Sequence, residues 1–174
     1  DLDIGTMARD AATRDALRFG DIRDYFLDPR GADADALVYE VFKPRSQPDA
    51  GLLSSSTVIQ PGDAAGEFYM TRGHYHALRD RSEVYVGLAG EGLLVLADAD
   101  GALRTEVMRR GALRFIPGGW AHRVVNTGDV PLAFLAVYPA DAGNDYDAIR
   151  VHGFPVRVFR GAAGPELRRS AAGG

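Results

Sequence analysis

The chain has no cysteine among its 174 residues, which excludes disulfides and thiolate metal sites at once. It has one lysine, Lys43, so arginine carries the rest of the positive charge. No basic stripe is present and the net charge is −4, which argues against nucleic acid as a partner. No apolar run approaches the roughly 20 residues of a membrane-spanning helix, so no membrane association is expected. The first 30 residues are charged throughout and lack the apolar core of a signal peptide, which makes the cytoplasm the expected location. Long helical patterns are missing between the apolar runs, and this disfavours a parallel α/β sheet. Histidine is scarce as well: there are four, and three of them stand in two short segments around His74, His76 and His122.

What is present suits one globular domain with a substantial core, since 46% of residues are hydrophobic and 25% charged. From Asp10 to Leu27 the apolar residues Ala12, Ala16, Leu17, Phe19, Ile22, Tyr25 and Phe26 fall nearer to helical than to strand spacing. Asp28-Pro29-Arg30-Gly31 closes this stretch. The spacing predicts a short helical arm within residues 1–35, lying outside the main fold. Short strands are predicted over 36–43, 52–60, 68–76, 83–89, 93–97, 103–108, 114–116, 122–126, 132–138 and 156–160. Such a series with glycine or proline punctuation predicts an all-β domain over 36–160, as a sandwich or double-stranded β-helix. Residues 161–174, rich in alanine, glycine and arginine, are expected to be a flexible tail.

His74 and His76 are two apart, so on an extended strand both imidazoles share a face. Glu83 and Tyr85 repeat that alternation on the next apolar run. His122 follows the turn Pro117-Gly118-Gly119, which would bring a later strand back across the first two. Three imidazoles and one carboxylate suit a borderline divalent ion such as Fe²⁺, Mn²⁺, Ni²⁺ or Zn²⁺. Four protein ligands on a six-coordinate ion leave two positions for substrate oxygens. Tyr85 reads equally as a group that orients a substrate hydroxyl and as a core aromatic.

The run Gly111-x5-Pro117-x-Gly119-x2-His122-x3-Asn126 resembles the second sequence motif of the cupin superfamily. In Thr71-Arg-Gly-His-Tyr-His76 and Glu83-Val-Tyr85, six residues separate His76 from Glu83, a spacing similar to that of the cupin-type phosphoglucose isomerases. The likeness continues through Trp120-Ala-His-Arg-Val-Val-Asn-Thr-Gly128, Tyr138-Pro-Ala-Asp-Ala-Gly143, Asp145-Tyr146 and Gly153-Phe154. It implies a single cupin (jelly-roll) barrel, one divalent metal per chain (Fe²⁺ or Mn²⁺ foremost) and isomerisation of glucose 6-phosphate to fructose 6-phosphate. By the same resemblance His74, His76, Glu83 and His122 hold the metal, and Glu83 is also a candidate base beside Tyr85 and Tyr146. Thr57, Thr71, Gly73 and Tyr138 match positions that hold the sugar phosphate, with Asn144 nearby. On strict alternation Arg72 faces away from Thr71, and Arg79 and Arg81 are expected to face solvent.

Two positions depart from the isomerase pattern. Asn144 stands where the family has histidine, and Gly119 where some members have tyrosine. Asparagine hydrogen-bonds but does not titrate near neutral pH. Iron-dependent oxygenation and metabolite binding without turnover therefore stand beside isomerisation as readings of the same metal site. Dioxygen uptake would mark the first, and retained ligand binding without product the second. Two open sheet edges and an N-terminal arm make a homodimer plausible.

Overall fold

The computed structural model describes residues 5–7, 11–45 and 51–170. Its strands are β1 Ala12–Arg18, β2 Leu37–Pro44, β3 Leu52–Ile59, β4 Asp63–Ala64, β5 Glu67–Phe68, β6 Glu83–Ala89 and β7 Glu91–Ala97. They continue with β8 Leu103–Arg109, β9 Leu113–Ile116, β10 Ala121–Asn126, β11 Leu132–Pro139, β12 Val156–Gly161 and β13 Gly164–Arg169. Helix α1 covers Phe19–Ile22 and α2 covers Asp147–His152. One sheet runs β1-β2-β3-β11-β6-β9, a second β10-β7-β8 and a third β13-β12-β5-β4, and the named strand pairs are antiparallel. This is the all-β jelly-roll architecture expected from the strand spacing.

The core forms where residues of the sheet β1-β2-β3-β11-β6-β9 meet those of the sheet β10-β7-β8. Ile59, Tyr85 and Phe134 come from one sheet and Leu94, Leu96 and Val124 from the other, all buried. Fully burying an aliphatic side chain is worth about 1.5–3 kcal/mol, so this layer carries much of the stability. Close approach fixes one residue type: a Cβ on Gly87 would lie 2.0 Å from the Arg109 carbonyl oxygen, so β6 can pass there only as glycine. Asn126, the last residue of the second motif, is wholly buried. Its amide donates to the Ile59 and Val130 carbonyls at 3.0 and 2.9 Å, and its oxygen accepts the Gly128 N–H at 3.0 Å. It pins the β10–β11 turn to β3.

Three expectations need correction. The helical arm is strand over β1, which pairs with β2 from Ala12↔Pro44 to Arg18↔Leu37; only α1 and a 3-10 turn at Arg23–Tyr25 are helical. Ladder bonds along the free edge of β2 outweigh weak local spacing built largely on alanine. The true helical signal is aromatic, because Phe19 packs on Phe26 with ring centroids 4.9 Å apart. Of the arm, residues 1–4 and 8–10 lie outside the described residues. The tail from 161 begins as the β12–β13 hairpin, turned through Gly161 and Gly164, and Arg168 covers the Phe159 ring at 4.2 Å. Residues 171–174 of that tail lie outside the described residues. The strand predicted over 68–76 stops at Phe68 and continues as isolated bridges at Met70, His74 and Tyr75.

A buried ion pair ties the ends of the chain to the barrel. Glu67 accepts the Leu27 N–H at 2.7 Å and Arg157 Nη1 at 2.9 Å, and Arg157 also donates to the Tyr25 carbonyl at 3.0 Å.

Candidate functional site

The segment after β5 runs antiparallel to β10 without becoming a regular strand. Thr71 N–H donates to the Val124 carbonyl at 2.9 Å, and His74 and His122 exchange backbone bonds at 3.2 and 3.0 Å. That exchange places the two imidazoles 4.3 Å apart, centroid to centroid, with His76 at 5.4 Å from His122. Glu83 opens β6 opposite Ile116, the residue before the Pro117-Gly118-Gly119 turn. One ligand atom from each of His74, His76, Glu83 and His122 lies within 4.8 Å of all the others.

The hydrogen bonds behind the rings decide what these atoms are. His76 Nδ1 lies 2.8 Å from the Arg81 carbonyl and His122 Nδ1 3.3 Å from the Trp120 carbonyl. A carbonyl only accepts, so in the neutral tautomer each Nδ1 carries the proton and each Nε2 presents a bare lone pair. His122 Nε2 and Glu83 Oε1 are 2.5 Å apart, yet neither has a hydrogen-bond partner. His76 Nε2 is 3.5 Å from the same oxygen. Acceptors crowded together in a buried place repel unless a cation lies between them, and the donor set therefore fits a divalent ion. Burial and then the neighbouring His122 push His74 well below its ordinary value, so it stays neutral.

A cavity of about 670 Å³ opens from this cluster. Every residue singled out from the sequence lines it: the four ligand candidates, Tyr85 and Tyr146, and Thr57, Thr71, Gly73, Tyr138 and Asn144. Tyr85 is buried, and burial with the Glu83 charge beside it pushes its phenol well above the ordinary value. The Asn144 amide donates to the Tyr146 hydroxyl oxygen at 3.0 Å. Thr71 Oγ1 accepts the Val124 N–H at 3.1 Å, which leaves its hydroxyl proton for the cavity. Among the described residues, no partner accepts the Gly73 N–H.

Arg72 corrects the alternation argument. Its side chain lines the cavity with its guanidinium 3.9 Å above the Tyr146 ring, and its Nε is buried without a partner. The cause is that Arg72 lies in the irregular segment after β5, outside any strand, where strict alternation does not hold. Tyr39 of β2 also lines the cavity, and nothing in its own stretch distinguishes it from a core aromatic. Arg79 and Arg81 are not simply solvated: they pair with Asp145 at 2.6 Å and Asp141 at 2.7 Å, joining the loop between the ligands to the one carrying Asn144.

Comparison with solved structures supports the architecture. A structure of oxalate decarboxylase aligns with a TM-score of 0.51 and 22% identity, over 67% of this chain and 30% of that one. This chain thus spans about a third of those structures, and the likeness shows fold only. Curated relatives are nearer. Glucose-6-phosphate isomerase of Pyrococcus abyssi is 41% identical over 159 residues, 88% of this chain and 84% of that protein. The Pyrococcus horikoshii protein of the same name is 44% identical over 143 residues, covering 79% and 76%. That of Sinorhizobium medicae is 36% identical over 166 residues, covering 90% and 78%. A sequence model of the family described as Glucose-6-phosphate isomerase (GPI) matches residues 15–166. Because that match runs from β1 into β13 and takes in every lining residue of the cavity but Arg14, the chain belongs to the glucose-6-phosphate isomerase family, in its cupin-type form.

Proposed function

We propose that this chain interconverts glucose 6-phosphate and fructose 6-phosphate at the His74–His76–Glu83–His122 cluster. The observation that carries the reading is the pair of buried, partnerless acceptors, Glu83 Oε1 and His122 Nε2, facing each other in a cavity whose other walls offer hydroxyl and N–H donors. Three nitrogens and one carboxylate oxygen suit Fe²⁺ or Mn²⁺, with Zn²⁺ and Ni²⁺ also accommodated by the same donors. When bound, such an ion polarises a sugar oxygen and stabilises negative charge developing there.

The remaining work falls to side chains. Thr57, Thr71, Tyr138 and the Gly73 N–H hold the phosphate, with the Arg72 guanidinium as the nearby cation; none of these groups needs to lose a proton to bind an anion. Tyr85 stays a neutral phenol and orients a substrate hydroxyl against Glu83. Aldose–ketose isomerisation moves a hydrogen between C1 and C2 and a proton between their oxygens. Glu83 is the candidate base for the first transfer. Tyr146, whose oxygen already accepts from Asn144, keeps its own O–H free to serve a substrate oxygen. The partner is a small sugar phosphate, and the location assigned is the cytoplasm; no helix among the described residues is long and apolar enough to cross a membrane. A homodimer is supported by Leu113 and Phe115, which stand exposed on the edge strand β9. The test is a fructose 6-phosphate turnover assay on protein of known metal content, with exchange of the C1 and C2 hydrogens into solvent followed in parallel. No product and no exchange from metal-replete protein would overturn the isomerase reading.

A further inference from the structure

Arg123 sits beside the ligand candidate His122 on β10, and strand alternation sends the two side chains to opposite faces. His122 lines the cavity, whereas Arg123 is 3% exposed and lies with its guanidinium carbon 4.7 Å over the Phe154 ring. Its Nε and Nη2 both donate to one acceptor, the Arg72 carbonyl, at 3.2 and 2.6 Å. In a trans peptide the C=O of one residue and the N–H of the next point in opposite directions, and no cis peptide is present among the described residues. Fixing the Arg72 carbonyl towards Arg123 therefore turns the Gly73 N–H the other way, into the cavity. That N–H is the partnerless one. The turn also rests directly on the guanidinium: a Cβ at Gly73 would lie 3.2 Å from both Cβ and Nε of Arg123.

The charge beneath this peptide is not balanced. Glu67 is the carboxylate of the cluster, and its hydrogen bonds go to Arg157 and the Leu27 N–H. Arg157 and Arg123 against Glu67 leave one positive charge. A guanidinium keeps its proton in proteins, so Arg123 is a cation at neutral pH. Two N–H donors on one carbonyl polarise that peptide and strengthen its N–H as a donor on the far side.

We propose that Arg123 is a positioning residue for the substrate phosphate: from outside the cavity it holds the Arg72–Gly73 peptide with its N–H aimed at the anion, and it supplies a buried positive charge behind that peptide. This rests on the reading of Thr71 and Gly73 as phosphate donors. Arg123→Gln removes the charge and the paired donors, whereas Arg123→Lys keeps the charge and one donor.

The measurements are KM and kcat for fructose 6-phosphate, metal content, and the Kd of inorganic phosphate from the Gly73 amide shift. Arg123→Gln raises KM and the phosphate Kd together by about tenfold or more, with kcat within about threefold and metal content unchanged. Arg123→Lys gives an intermediate rise of about threefold. A purely structural arginine would lower the melting temperature and leave KM and phosphate Kd where they were, and that result in either folded variant overturns the proposal. If Arg123→Gln does not fold, Arg123→Lys decides alone. Thr71→Val separates the two levels: if it too leaves KM and phosphate Kd unchanged, the phosphate site itself is misplaced; if it raises them while the Arg123 variants do not, only Arg123's role falls.

Discussion

Thr71→Val removes one hydroxyl at nearly constant shape, and the hydroxyl has two jobs. On one side Oγ1 accepts the Val124 N–H at 3.1 Å; on the other its proton points to the cavity. If that proton reaches a phosphate oxygen, the bond is charge-assisted and worth about 1.5–3 kcal/mol, which is roughly a 10- to 150-fold rise in KM for fructose 6-phosphate. The phosphate is remote from the reacting carbons, so the loss belongs to binding and kcat should hardly move. The second loss is independent of substrate. Val124 is buried, and its N–H would face a methyl group at a cost of about 1–3 kcal/mol in stability. For a chain of this size that lowers the melting temperature by roughly 2–10 °C.

The two readouts therefore discriminate between causes. Steady-state kinetics with metal content measured on the same sample gives the first, and thermal unfolding the second. Thr71→Ser keeps both bonds and should resemble the parent in both. A lowered melting temperature with unchanged KM would show that Oγ1 serves only Val124 and would remove Thr71 from the phosphate site. No change in either would refute the local geometry itself.

His122→Ala should bind metal about tenfold less well or worse, because it removes one of four ligands and leaves His74, His76 and Glu83; full stoichiometric metal by elemental analysis would sink the ligand assignment. Glu67→Gln should cost about 3–5 kcal/mol in a denaturant titration, since it strands Arg157 in the interior, and a loss below 1 kcal/mol would show that the pair is solvated. Asn144→His restores a group that titrates near pH 6.5, and fructose 6-phosphate turnover, measurable in the parent, should rise at constant metal content. Failure of both proteins to turn over or exchange substrate would count against isomerisation and direct attention to dioxygen uptake.

Most of the site was legible because its signals are local. Two histidines at strand spacing, a glutamate on the next run and a third histidine behind a Pro-Gly-Gly turn are each visible in a few residues, and the folded chain brings one ligand atom of each within 4.8 Å of the others. What was not legible depends on tertiary context. The seven residues of β1 have little strand character of their own, and they are extended because the edge of β2 is there to pair with. Arg72 departs from strict alternation because its segment, between β5 and β6, is not a regular strand. Tyr39 enters the cavity from a distant strand, and no feature of its own stretch distinguishes it from a core tyrosine. Arg123 reads as one more residue of a motif until the carbonyl it holds is known.

The irregular segment from Thr71 to His76 explains why both ends of the proposed substrate are read by six consecutive residues. In a regular antiparallel strand alternate residues donate to β10, so Gly73, two residues after Thr71, would spend its N–H there. The bend at Gly73 withholds one N–H from that ladder, and pairing resumes at the next residue, where His74 and His122 exchange bonds. A glycine in such a conformation gives up about 0.5–1 kcal/mol of chain entropy on folding. The Arg123 guanidinium on one side and the His74–His122 bridge on the other offset that loss and hold the bend in one shape. Two of the proposed phosphate donors, Thr71 and Gly73, and two of the proposed metal ligands, His74 and His76, thus share one short piece of covalent backbone, and the separation between these pairs is set by bond geometry as well as by the packing of distant elements. An enzyme that must hold a charged group at one end of a flexible sugar while hydrogen moves at the other gains from that arrangement, because the two grips cannot drift apart as the barrel breathes.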